Sequence, residues 1–186
     1  EGQYRVVLPG DNWHGDYHAA LDAYQATSTA QINYSDLQFI QSVALMPDKK
    51  TAFSGVAFMR DSNNTTIAEI HYLHGQLHGD LTFFYPNGKK RLLFSYKRGK
   101  SQNKILSWYQ NGKTDMLINS TRQNCRQFIK YYVNGKKEEE GLACYEAQTH
   151  KRWYQNGQQQ SEEIRTAQEV KHTCWTEQGK RSPCTP

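Results

Sequence analysis

The chain has 186 residues, of which 37% are apolar and 12% aromatic, with 12 tyrosines. A mean hydropathy of −0.89 and the lack of any apolar run near 18 residues leave no stretch for a membrane-spanning helix. This composition suits a thin sheet whose aromatics are covered by neighbouring rungs better than a thick globular core. The formal charge of +5 and pI of about 9.0 favour an acidic, phosphate-bearing or nucleic-acid partner without choosing among them.

Residues 1–50 do not repeat and read as a separate N-terminal segment. The chain starts at Glu1 rather than Met, consistent with removal of a leader. Asp16 to Thr27 is rich in helix formers, with Tyr17, Leu21 and Tyr24 on one face, and can hold one short helix. Leu37 to Leu45 reads as a first strand before the Pro47-Asp48 turn. Phe53 to Phe58 is the next strand, turned by Asp61-Ser62-Asn63-Asn64.

From residue 51 to 186 the chain repeats itself. Phe84-Tyr85-Pro86-Asn87-Gly88-Lys89 recurs at Trp108 to Lys113, Tyr131 to Lys136 and Trp153 to Gln158, with a worn copy at Trp175 to Lys180. The turn glycines 88, 112, 135, 157 and 179 are spaced 24, 23, 22 and 22 apart, a repeat-protein period. Asn-Gly between alternating apolar runs predicts a type I′ hairpin turn. A second turn element, Tyr72 to Gly75, recurs at Tyr96 to Gly99. Two turns per repeat give an all-β, up-and-down meander of stacked antiparallel hairpins.

Phe84, Trp108, Tyr131, Trp153 and Trp175 form one ladder, expected to be packing. Tyr85, Tyr109, Tyr132 and Tyr154 fall on the opposite face, which turns polar through Phe83, Ser107, Lys130, Arg152 and Cys174. Those tyrosines, with Lys130 and Arg152, are the candidate partner-binding residues. Lys89, Lys113, Lys136 and Lys180 follow the turn glycines, and are expected to solvate the turns and blunt the sheet edge.

Four cysteines are present, none in a Cys-x-x-Cys pair. A two-residue Asn134-Gly135 turn pairs Val133 with Lys136, and counting outward sets Cys125 opposite Cys144. Cys174 and Cys184 flank the last turn, one residue off such a register. Disulfides Cys125–Cys144 and Cys174–Cys184 are therefore expected, the second capping the terminal rung, in an oxidising and hence periplasmic or secreted setting. His71, His74 and His78, and His14 and His18, lack a cysteine or carboxylate partner at zinc spacing, so neither a metal nor any other cofactor is expected. No phosphate loop, nucleophile elbow or His-Glu-x-x-His is present, and Glu138-Glu139-Glu140 reads as a solvated patch rather than an acid/base pair. The chain does not read as an enzyme. Its basic residues are interleaved with 18 acidic ones, against nucleic-acid binding.

The aromatic-aromatic-x-Asn-Gly-Lys hexads, the Tyr72-x-x-Gly75-x-x-His78-Gly79 element and the entry Thr51-Ala52-Phe53-Ser54-Gly55-Val56 resemble the bacterial MORN-repeat-variant family. The resemblance covers roughly residues 50–181, about two-thirds of the chain. Members are often described as YwqK-type antitoxins, and some resemble immunity proteins of type VI secretion effectors. The resemblance implies a periplasmic immunity protein that binds and blocks a cognate toxin, frequently a phospholipase. The alternative is an envelope scaffold or surface-binding repeat protein, with contact to anionic lipid as a secondary property.

Overall fold

The computed structural model describes residues 30–120 and 125–184. The expected helix at Asp16 to Thr27, with His14 and His18, lies outside the described residues. The strands are β1 (Gln31–Asn33), β2 (Gln38–Ile40), β3 (Val43–Leu45), β4 (Gly55–Arg60), β5 (Thr66–Leu73), β6 (Gln76–Phe84), β7 (Lys90–Lys97) and β8 (Lys100–Trp108). They continue as β9 (Thr114–Ser120), β10 (Arg126–Tyr131), β11 (Lys137–Ala143), β12 (Ala147–Trp153), β13 (Gln159–Thr166), β14 (Val170–Trp175) and β15 (Arg181–Ser182). From β4 to β15 each strand pairs with the next in an open antiparallel meander, and β1 joins its edge in parallel against β4. The all-β reading holds.

Two local expectations are corrected. Leu37 to Leu45 is not one strand but a small hairpin, β2 and β3, with Gln41 and Ser42 both at positive φ between them. The Asn-Gly turns are not type I′. Asn87, Asn111, Asn134 and Asn156 keep negative φ, and only the following glycine is left-handed. In each, the glycine N–H donates to the tyrosine carbonyl three residues back, and that tyrosine's N–H donates to the carbonyl four residues on. This is a type I turn closed by a glycine bulge. The asparagine side chain favours it by accepting from the N–H two residues later, as Asn134 Oδ1 does from Lys136. Type I′ geometry, with positive φ at both central residues, occurs instead at His74-Gly75 and Arg98-Gly99.

The same turn appears once more than the hexads suggested. At Asp61 to Thr65, Asn64 occupies the left-handed position with φ 62°, 24 residues before Gly88. Asparagine tolerates that conformation, so the copy is intact in geometry though not in glycine.

Alternation along the strands gives the sheet two unlike faces. On the tryptophan face lie Phe84, Trp108, Tyr131, Trp153 and Trp175, beside Leu93, Leu106, Leu117 and Ile129. On the tyrosine face, the first three antiparallel strands are covered. Residues from Ile32 to Phe53 lie across β4, β5 and β6, burying Leu37, Ala44 and Phe53 against Ala57, Ala68, Ile70 and Tyr72. Gly75 locks this layer. Its N–H donates to the Phe53 carbonyl and its own carbonyl accepts from Ala44 N–H. A Cβ there would stand 2.3 Å from a Val43 methyl.

Both expected disulfides are present, with Cα–Cα distances of 4.4 Å for Cys125–Cys144 and 5.3 Å for Cys174–Cys184. The turn between Cys125 and Cys144 starts one residue earlier than a two-residue loop would, and a bulge beside Lys130 and Tyr131 restores the register. The two offsets cancel, and the cysteines face each other as counted. Cys184 lies beyond Ser182, the residue opposite Cys174, and reaches back diagonally.

Candidate functional site

The tyrosines are tied into the repeat. Tyr85 Oη–H donates to the Trp108 carbonyl at 2.7 Å, Tyr109 to Tyr131 at 2.6 Å, Tyr132 to Trp153 at 2.7 Å and Tyr154 to Trp175 at 3.0 Å. Each hydroxyl thus satisfies a carbonyl of the next repeat, leaving a half-buried ring as the contact surface. Burial and the neighbouring Asp115 push the Tyr109 phenol up to about 12. Burial and the Glu138 charge likewise raise Tyr132.

The lysine row does more than solvate the turns. Lys89 Nζ donates to the Asn111 carbonyl at 2.7 Å, Lys113 Nζ to Asn134 at 2.8 Å, and Lys136 Nζ to the Asn156 carbonyl. The turn asparagines reach the same way, Asn87 Nδ2 to the Gln110 carbonyl and Asn134 Nδ2 to Gln155, both at 3.1 Å. Turn is stapled to turn.

Lys130 and Arg152 do lie on the tyrosine face, but both are paired. The bulge after each Asn-Gly turn inserts one extra residue, and its side chain comes back to the strand before the turn. Arg91 lies 5.8 Å over the Phe83 ring, Asp115 accepts from Ser107 Oγ at 2.8 Å, and Glu138 pairs with Lys130 Nζ at 3.1 Å. The Glu138 hydrogen bond raises the Lys130 pKa. Arg152 Nε and His150 Nε2 share Glu139 Oε1, at 3.2 and 2.6 Å. Burial pushes Glu139 up, but those two partners outweigh it and hold its carboxyl below the ordinary range. The strongest signal for Asp115 and Glu138 was their constant place, three residues after each turn glycine; only a bulge gives it meaning.

Beyond the covered strands the same face carries a stripe that residue-by-residue reading missed. Leu92, Ser107, Met116 and Lys130 oppose one another across β7 to β10, and so do Phe94, Ile105, Ile118 and Phe128. All six apolar members are only half-buried, and no described residue forms a second layer over them. The stripe runs into a shallow cleft of about 340 Å³ above Gly141 and Ala143, flanked by Phe128, His150, Glu163 and Arg165. The Phe128 ring lies on Gly141, where a Cβ would be 2.1 Å from its edge. The candidate surface is therefore an apolar stripe edged by half-buried tyrosines on one side and by an ionic cleft at its far end.

The histidines of β5 and β6 have local partners. His71 Nε2 meets Glu69 at 2.9 Å, and His78 Nδ1 accepts from the Arg98 N–H. The two disulfides indicate an oxidising, extracytoplasmic compartment. Among the described residues no helix is long and apolar enough to cross a membrane. No family model matches the chain, and neither does any curated protein.

Proposed function

We propose that this chain is an immunity protein, a binding module that covers and blocks a cognate secreted toxin in the periplasm. The resemblance to MORN-repeat-variant proteins points to a lipid-degrading type VI effector as that toxin. The observation that supports a docking role is the stripe of Leu92, Phe94, Ile105, Met116, Ile118 and Phe128, which no second layer covers among the described residues. It prolongs a face whose first three antiparallel strands are already sealed by residues 32–53. A partner seated there would continue a layer that this chain begins, and the neighbouring Tyr109 and Tyr132 rings would frame it. Blocking by coverage needs no catalytic residue and no cofactor on this chain.

The test is capture of the tagged, oxidised protein's partners from envelope extract of the producing strain. One stoichiometric secreted hydrolase is expected, inhibited by the wild type and released by Ile118→Lys, a variant whose circular dichroism should stay native. Recovery of only lipid, glycan or abundant envelope proteins would overturn immunity and favour an envelope scaffold. A hydrolase still inhibited by Ile118→Lys would move the interface off the stripe.

A further inference from the structure

We propose that the C-terminal clasp doubles as a metal site: once the Cys174–Cys184 disulfide is reduced, His172, Cys174 and Cys184 take up a zinc ion. Strand alternation on β14 puts His172 and Cys174 on one face, directly across from Glu163 and Ser161 of β13. Cys184 returns to the same spot from beyond β15. The donor atoms of His172, Cys174 and Cys184 all lie within 4.8 Å of one another. Glu163 Oε2 stands 3.8 Å from His172 Nε2 while its other oxygen is held by Arg165 at 2.9 Å, so it neighbours the imidazole from outside the set. Among the described residues no other group of three such side chains comes this near.

Two thiolates and an imidazole, with water in the fourth position, are a donor set suited to tetrahedral zinc. The disulfide offers no thiolate, so metal and disulfide are alternatives at one position. A dithiol reductant supplies two electrons and two protons, becoming a disulfide itself while Cys174 and Cys184 become thiols. Zinc then displaces both thiol protons. The sulfurs must part, because Zn–S bonds of about 2.3 Å at a tetrahedral angle set them about 3.8 Å from each other. The chain can yield on one side: β15 is two residues long and Cys184 lies outside its paired residues. The terminal rung would thus stay closed by metal wherever the disulfide is lost.

The experiment uses the whole chain, reduced with a phosphine and titrated with Co²⁺ as a spectroscopic probe. One equivalent should produce the intense visible bands of tetrahedral cobalt and a thiolate charge-transfer band, both bleached by Zn²⁺, while oxidised protein shows neither. Site-resolved alkylation of the reduced wild type, read by peptide mass spectrometry, needs no variant to fold. Zn²⁺ should protect Cys174 and Cys184 but not Cys125 and Cys144. His172→Ala should weaken Zn²⁺ binding by at least about tenfold. A reduced protein without the cobalt spectrum would overturn the proposal, as would protection confined to Cys125 and Cys144 or spread equally over all four cysteines.

Discussion

At the scale of single residues, the repeat is held by donors that the hexad alone did not interpret. Tyr132 shows this, since its hydroxyl satisfies the Trp153 carbonyl while its ring stays half-exposed. Tyr132→Phe keeps the ring and removes the donor, and should cost about 0.5–1.5 kcal/mol in urea unfolding. A partner that uses only the ring should bind that variant unchanged. Glu139 gives a pH signature. Its folded pKa lies below the ordinary 4.5, so its pairing stabilises the fold above that value and is lost as pH falls through the folded pKa. Acid unfolding should therefore be less steep below about pH 4.5 in Glu139→Gln than in the wild type. The positions of the tyrosines, Lys130 and Arg152 were legible from the spacing. The Lys130 partner was not, because Glu138 reaches it only through the bulge after the Asn134-Gly135 turn.

At the scale of elements, the turn sites were legible and their geometry was not. Asn-Gly allows two hairpin turns, and the asparagine side chain's bond to the N–H two residues on favours type I here. The expected Cys125–Cys144 pairing survives because the bulge offsets the different turn. The split of Leu37 to Leu45 into β2 and β3 hid in Gln41-Ser42, a pair with no glycine to mark it. At Gly75, by contrast, both φ of 75° and the contact with Val43 and Ala44 require glycine. Gly75→Ala should destabilise by about 1–3 kcal/mol from backbone strain alone, with further loss from the displaced β3. Gly88→Ala is the control, since its added Cβ meets nothing within 4 Å and leaves only the strain.

At the scale of the whole molecule, the repeat and its disulfides were legible, but the stripe was not. Leu92, Ile105, Met116 and Phe128 each look like ordinary alternation until register brings them together. Among the described residues the buried cluster lies at one end, around Phe53 and Ala57, and the sheet beyond it is largely a single layer. Amide hydrogen exchange should accordingly be slowest in β4 to β6 and quicken toward β14, with reduction of Cys174–Cys184 speeding only the last rungs. Uniform protection along the sheet would contradict a one-ended core. The staples between turns also have a direction: tyrosine, asparagine and lysine side chains always give to the following copy's carbonyls. The copy at Trp175 to Lys180 bears Thr176 and Gln178 where the others have tyrosine and asparagine. Such a chain is polar in the way a filament is polar, each joint made by donors on one unit and carbonyls on the next. Because successive joints reuse the same donors, a whole unit can be inserted or removed from one turn to the next, and the length of the sheet then changes without redesign of its strands.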